Sequence, residues 1–230
     1  MVRGAGSDFG ESARPRRATI EPASDLAAAL TAARPTAEEQ PEMCTTIRYA
    51  FGECRHAHVL VAAGERGICQ LRLGDDLSAL EAELRGTFPG ARRADPDALV
   101  VAWCAAIVAR LEAWDGSGGP PDLPLELRGT PFQLRVWETL REIPVGEVRS
   151  YAEVAGGLGI TDGARAVAGA CARNPVALLV PCHRVVPKSG GVGGYRWGER
   201  IKRWLLASEG ARVSPPVRRG AEHGAPRVAP

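Results

Sequence analysis

Cys182 and His183 stand side by side in the stretch LLVPCHRVVPKSGGVGGYRWG, residues 178–198, between two apolar runs and ahead of a cluster of glycines. A thiol attacks only as its thiolate, and an unassisted cysteine, with a pKa of about 8.5, is mostly protonated at neutral pH. An imidazole linked to it directly or through one water can take that proton, provided an acid orients the ring. His183 is the neighbouring base, and Pro181 fixes the backbone just before the pair. Glu209, closing the helical stretch ERIKRWLLASE, is the acid nominated as orienter. Two chemistries fit such a relay: transfer of a group to sulfur, or hydrolysis through an acyl-enzyme that turns over.

The other cysteines, at 44, 54, 69, 104 and 171, are expected to be inert packing, because free cysteine is among the most buried residue types. Cys44 with Cys54, His56 and His58 of CRHAH offers zinc-type ligands, but the spacing matches no closed ligand set, and no metal is assigned. Six cysteines without a CxxC pair do not form a disulfide framework, so reduced thiols and a cytoplasmic location are expected. The first 30 residues hold scattered acids and no apolar h-region, and no window approaches a transmembrane span.

The elements that must position the pair follow from pattern. At 230 residues and 45% apolar composition the chain can bury one sizeable core or two small ones. TTIRYAFGE, HVLVAAGE and GICQLRLGD are short β-branched or apolar runs ended by glycine and acid, as in an antiparallel meander; LSALEAELRGTF and ALVVAWCAAIVARLEAW have helical spacing. Residues 44–115 are therefore read as an α+β domain and the Gly/Pro stretch 116–127 as a linker. Residues 128–210 form a helical domain. There Thr130 and Pro131 open a helix with Phe132, Val136, Trp137, Leu140 and Ile143 on one face, and Ser150 with Glu153 fits a capping box. SYAEVAGGLG, the turn GIT and DGARAVAGACARN then make a helix-turn-helix candidate. The leader, 1–43, and the tail, 211–230, are expected to be unstructured.

Net charge is only +2, but it is unevenly placed. Residues 44–127 carry 8 Lys+Arg against 12 Asp+Glu, net −4, whereas 129–210 carry 11 against 7, net +4. The basic half is the candidate for a polyanion. Within it, Ala164, Ala166, Ala168, Gly169 and Ala170 leave a smooth helix from which Arg165 alone protrudes, a shape suited either to tight internal packing or to a narrow groove.

RGTPFQLRVWETLREIPVGEVRSYAEVA, ARAVAGACARNP, PCHRVV, GGYRWG and KRWLLASEG together resemble the methylated-DNA–protein-cysteine methyltransferases, the O6-alkylguanine-DNA alkyltransferases. IRYAFGECRHAHVLVAAGERGICQLRLGDD and PLELRGTPFQ are similar more narrowly to the C-terminal half of Ada-type bacterial regulators. The resemblance implies a ribonuclease H-like sheet-plus-helix domain followed by a winged helix-turn-helix-like domain that binds DNA and carries the chemistry. It implies irreversible, single-turnover transfer of an alkyl group from O6-alkylguanine, with O4-alkylthymine left open, and no cofactor. The implied partner is double-stranded DNA entered by the minor groove, and a monomer without a membrane role is expected.

By the same resemblance Cys182 is the alkyl acceptor, His183 the water-linked base, Glu209 the acid behind it and Asn174 the brace of the turn. Tyr151 polarises the flipped guanine, and Arg165 fills the vacated stack from the helix of Ala164, Ala166 and Gly169. Tyr195 with Val192 and Arg196 lines the alkyl pocket, and Lys202 lies in the helix ending at Glu209. Glycines 190, 191, 193 and 194 are expected to admit the base beside Cys182. The chain departs from the family at Ala177, expected to widen the pocket, and at Ala168, expected to alter groove approach slightly. Residues 1–42 are too short for the zinc-thiolate and regulatory domains of the Ada-type proteins, so no role as a transcriptional activator is expected.

Overall fold

The computed structural model describes residues 46–96, 98–114 and 118–215. Cys44, the whole leader and residues 216–230 of the tail lie outside the described residues. The three apolar runs form β1 (Arg48–Cys54), β2 (Ala57–Ala63) and β3 (Ile68–Gly74), an antiparallel meander as their alternation predicts. Two-residue β4 (Arg92–Arg93) joins β1 in parallel, giving the order β3-β2-β1-β4. Such a short strand carries no pattern of its own; its amides find partners only because the chain passes the edge, Arg92 donating to Ile47 and Ala94 to Tyr49.

Helices cover both faces of this sheet. Asp76 caps α1 (Leu77–Thr87), which packs Leu80 and Leu84 against Tyr49, Leu60 and Ala62. On the other face α2 (Leu99–Glu112) packs Cys104 and Ile107 against Ala50, Val59 and Val61. Central β2 is thus buried on both sides, which is why its sequence is a continuous apolar run.

The helical half begins with α3 (Pro131–Arg141). Thr130 accepts from the Gln133 amide while the Gln133 side chain accepts from the Thr130 amide, and Pro131 costs nothing at a position whose N–H has no helical partner. Val136, Trp137 and Leu140 enter the main core, and Trp137 Nε1 donates to the Ala170 carbonyl at 2.9 Å. β5 (Arg149–Ser150) leads into α4 (Tyr151–Gly157) through the expected Ser150–Glu153 capping box. α5 (Ala164–Ala172) follows after a turn, and β6 (Val185–Val186) pairs in parallel with β5. α6 (Glu199–Ser208) ends at Glu209.

The core does not stop at the expected linker. One apolar cluster runs from Val59 and Leu71 through Trp137 and Val167 to Cys182 and Leu205, and the described residues form one compact unit. The edge of β3 supplies the join: Ile68 bridges Leu125, and Leu71 bridges Val176. Residues 211–215, placed by composition in an unstructured tail, pack instead through Ala211 and Val213 against Val186, Val192 and Leu206. Among the described residues no helix is long and apolar enough to cross a membrane.

Candidate active site

The turn that carries Cys182 is held from two directions. From the sheet, Leu71 donates to the Pro175 carbonyl and accepts from the Ala177 amide. From within, the fully buried Asn174 accepts from the Val176 amide at 3.0 Å and donates to the Val180 carbonyl at 2.8 Å. Between these anchors Leu178 adopts φ +65°, a left-handed conformation that costs a branched residue about 1–2 kcal/mol. Its side chain is wholly buried, and that packing keeps the strained turn in place.

The turn ends in a 3₁₀ segment, Cys182–Arg184. Cys182 is 4% exposed, and the Asn174 side-chain amide donates to its sulfur at 3.1 Å. Burial pushes this thiol up to about 11; the Asn174 hydrogen bond and the nearby Lys202 cation pull the other way without overcoming it. The resting group is therefore a thiol that a base must deprotonate.

His183, the candidate base, pairs with Glu209, the acid nominated as its orienter. Its Nε2 lies 2.9 Å from Glu209 Oε1, and its buried Nδ1 has no hydrogen-bond partner in the protein. Burial lowers the ring's pKa, so the imidazole rests neutral. Burial also opposes ionisation of Glu209, yet hydrogen bonds from His183 and Arg184 outweigh it and hold the carboxyl at about 2. Against an ionised Glu209 the proton sits on Nε2, which leaves the Nδ1 lone pair free to accept.

Arg184 is the partner that sequence reasoning missed. It is 3% exposed, and it donates to Glu209 Oε2 through Nε at 2.9 Å and to Oε1 through Nη2 at 2.8 Å; Nη1 donates to the Ile143 carbonyl. A cation set between His183 and two valines was the available signal, since a charge inside an apolar run is buried only when paired.

The remaining candidates are brought near Cys182 to different degrees. Tyr151 opens α4; burial, with smaller contributions from Cys171 and Cys182, pushes its phenol up to about 12, so it stays a proton donor. The rings of Tyr195 and His183 lie nearly perpendicular with centroids 6.5 Å apart, and the buried Tyr195 hydroxyl has no hydrogen-bond partner in the protein. Lys202 is wholly buried, with Nζ donating to the Val185 carbonyl at 2.7 Å and the Gly194 carbonyl at 3.3 Å; burial lowers it to about 8. Arg196 is exposed, close enough to bias both Cys182 and Arg72. Val192 packs in the small cluster with Val186 and Leu206 rather than standing in open space. Arg165 is exposed on α5, flanked by the half-buried Ala164, Ala166 and Gly169.

Ala177 is wholly buried in the main core. One expectation changes. The glycines at 190, 191 and 193 are required by positive φ (+84°, +74°, +69°) and by close neighbours: a Cβ at Gly190 would meet the Pro215 carbonyl and one at Gly193 the Pro187 ring. A Cβ at Gly194 would meet nothing within 4 Å. Among the described residues no three Cys, His, Asp or Glu side chains converge as metal ligands; Cys54 donates to the Ala57 carbonyl, and His56 stacks on Trp204.

The geometry can be set beside known proteins. Residues 131–211 match the family described as "6-O-methylguanine DNA methyltransferase, DNA binding domain". The "Bifunctional transcriptional activator/DNA repair enzyme Ada" of Escherichia coli is 45% identical over 163 residues, 71% of this chain but 45% of that protein. This chain thus spans just under half the length of that relative. The "Methylated-DNA--protein-cysteine methyltransferase" of Lodderomyces elongisporus is 34% identical over 71% of this chain and 92% of its own. In structure, the Mycobacterium tuberculosis OGT solved in complex with DNA superposes with a TM-score of 0.56 at 35% identity, covering 72% of this chain and 93% of that one. The buried Cys–Asn and His–Glu–Arg arrangement thus sits in a chain that matches the Lodderomyces elongisporus and Mycobacterium tuberculosis proteins along nearly their whole length, and the protein belongs to the methylated-DNA–protein-cysteine methyltransferase family.

Proposed function

We propose that this protein repairs O6-alkylguanine in DNA by moving the alkyl group onto its own Cys182, acting as a methylated-DNA–protein-cysteine S-methyltransferase that is consumed in one turnover. One observation carries the reading. A buried thiol is held by Asn174 beside a neutral imidazole whose free nitrogen is Nδ1 and whose other nitrogen is tied to an ionised Glu209.

In this reading the Cys182 proton passes through one water to His183 Nδ1, and Glu209 stabilises the imidazolium that forms. The thiolate attacks the alkyl carbon opposite O6. The sulfur–carbon bond forms as the carbon–O6 bond breaks, and the electron pair leaves on guanine. Tyr151, held as a neutral phenol by burial, donates a hydrogen bond to the departing base. Asn174 and Lys202 offset the sulfur's negative charge while it exists. The product is a thioether with no easy hydrolytic exit, and sulfur serves as both nucleophile and final acceptor, so the step needs no cofactor.

O6 of a paired guanine points into the helix, so the nucleotide must first rotate out at a cost of a few kcal/mol. We assign that task to the second lobe, 128–210, read as a winged helix-turn-helix-like body. It enters the minor groove with α5 and places Arg165 in the vacated stack, while the first lobe, 44–115, is read as ribonuclease H-like and 116–127 as the connection. A monomer on double-stranded DNA suffices, and a reactive free thiol suits a reducing, cytoplasmic compartment. The test is chemical: incubation with a duplex carrying O6-methylguanine should return unmodified guanine in the oligonucleotide. Cys182→Ser should leave the lesion intact; removal of the lesion by that variant refutes the assignment.

A further inference from the structure

Residues 211–215 lie along the glycine loop that borders the site, fastened through both backbone and side chains. The Gly191 amide donates to the Ser214 carbonyl at 2.8 Å. Gly190 sits at φ +84°, and a Cβ there would stand 2.1 Å from the Pro215 carbonyl oxygen, so only glycine lets the two backbones approach this closely. Beneath them Val192 of the loop packs with Val186 and Leu206, and Ala211 and Val213 cover that cluster. The far end of the loop is held separately, by Lys202 Nζ on the Gly194 carbonyl. Between the two fastenings Gly193, at φ +69°, faces Tyr151: a Cβ there would lie 3.9 Å from the phenol oxygen.

We propose that residues 211–215 are a latch that sets the width of the alkyl pocket, fixing Gly190–Val192 so that Gly193 is held against Tyr151. This makes the segment a positioning element for transfer, and the inference rests on the alkyl-transfer reading. A run of glycines at positive φ has little conformational preference of its own, so its shape comes from whatever holds it. With the latch gone, the loop loses the Gly191 anchor and the cover over Val192, keeping the Gly190 amide on the Pro187 carbonyl, Val192 against Val186 and Leu206, and Lys202 on the Gly194 carbonyl. In-line attack is sensitive to displacements of about 1 Å, so a loosened loop lowers the transfer rate. The α5 surface and Arg165 are untouched, so DNA affinity stays.

The experiment compares the full chain with chains ending at Gly210 and at Pro215, and with Gly190→Ala. Two quantities are read at increasing concentrations of O6-methylguanine duplex: the maximal single-turnover rate and the half-saturating DNA concentration. The chain ending at Gly210 and Gly190→Ala should each lose about tenfold or more in maximal rate, with half-saturation within about twofold of the full chain. The chain ending at Pro215 should match the full chain in both. Hydrogen exchange at the Gly191 to Gly194 amides, which needs no chemistry, should accelerate in the chain ending at Gly210 while the α3 amides stay protected, which also shows that this variant is folded. Unchanged exchange in the loop, a full transfer rate in the chain ending at Gly210, or equal shifts in rate and half-saturation would overturn the latch. Accelerated exchange with no methyl transfer even by the full chain would instead count against the alkyl-transfer reading.

Discussion

Cys104 and Cys182 are both almost fully buried, and burial pushes both thiols up to about 11, yet they sit in regions built for different ends. Cys104 lies where α2 packs on the sheet, its sulfur close to Gly52 and beside Val108, with apolar neighbours all round. Cys182 lies on a turn supplied with polar groups: the Asn174 amide on sulfur, His183 next in sequence, Glu209 and Arg184 behind the ring, and Lys202 nearby. Burial alone therefore makes a cysteine inert. Reactivity comes from a proton path and from donors that accept the charge once it forms.

The comparison is most exposed to failure at the sulfurs themselves. Cys182→Ser should abolish transfer, whereas Cys104→Ser should leave the rate within about twofold and instead cost about 1–3 kcal/mol of stability by burying an unmatched hydroxyl; single-turnover assays beside denaturant melts read both. Next in size is the relay. Glu209→Gln keeps the shape but loses the charge, and should slow transfer about 10²-fold with duplex affinity nearly unchanged. An equal loss of affinity would make Glu209 a structural residue only.

Arg165→Ala should cost about tenfold on duplex substrate and little on the free alkylated base, because only the duplex needs the nucleotide turned out. Equal losses on both would remove the finger role. The smallest effect concerns acid stability. Glu209 is held at about 2 against an ordinary value of 4.5, so its stabilisation is complete above 4.5 and fades as pH falls toward 2. Melts from pH 5 to pH 2 should be shallower for Glu209→Gln than for the parent chain; identical slopes would mean that Arg184 and His183 do not hold the carboxylate as drawn.

How much of this was legible in the sequence varied with how local its cause is. The caps of α3 and α4 could be read from Thr130-Pro131 and from Ser150 with Glu153, because a cap is a contact between residues three apart. The pairing of His183 with Glu209 was legible because His183 follows Cys182 directly and Glu209 closes a clear amphipathic helix. β4 was not, nor were the bridges from β3 to Leu125 and Val176, since those pairings depend on where distant chain happens to pass. Leu178 gives no hint of its positive φ: leucine disfavours that conformation, and only the surrounding packing imposes it. The glycine loop stands out in the sequence, but the positive φ of its glycines does not, because Pro187 and Pro215, which crowd Gly193 and Gly190, show their proximity only in three dimensions.

The central claim is that a thiol, activated only on demand by the His183–Glu209 pair, captures an alkyl group and keeps it. Intact-protein mass measured after mixing with an excess of O6-methylguanine duplex tests it directly. The account predicts one added methyl per chain, located on the peptide bearing Cys182, and no further repair when fresh lesion is supplied. Unmodified protein that goes on removing lesions would contradict it.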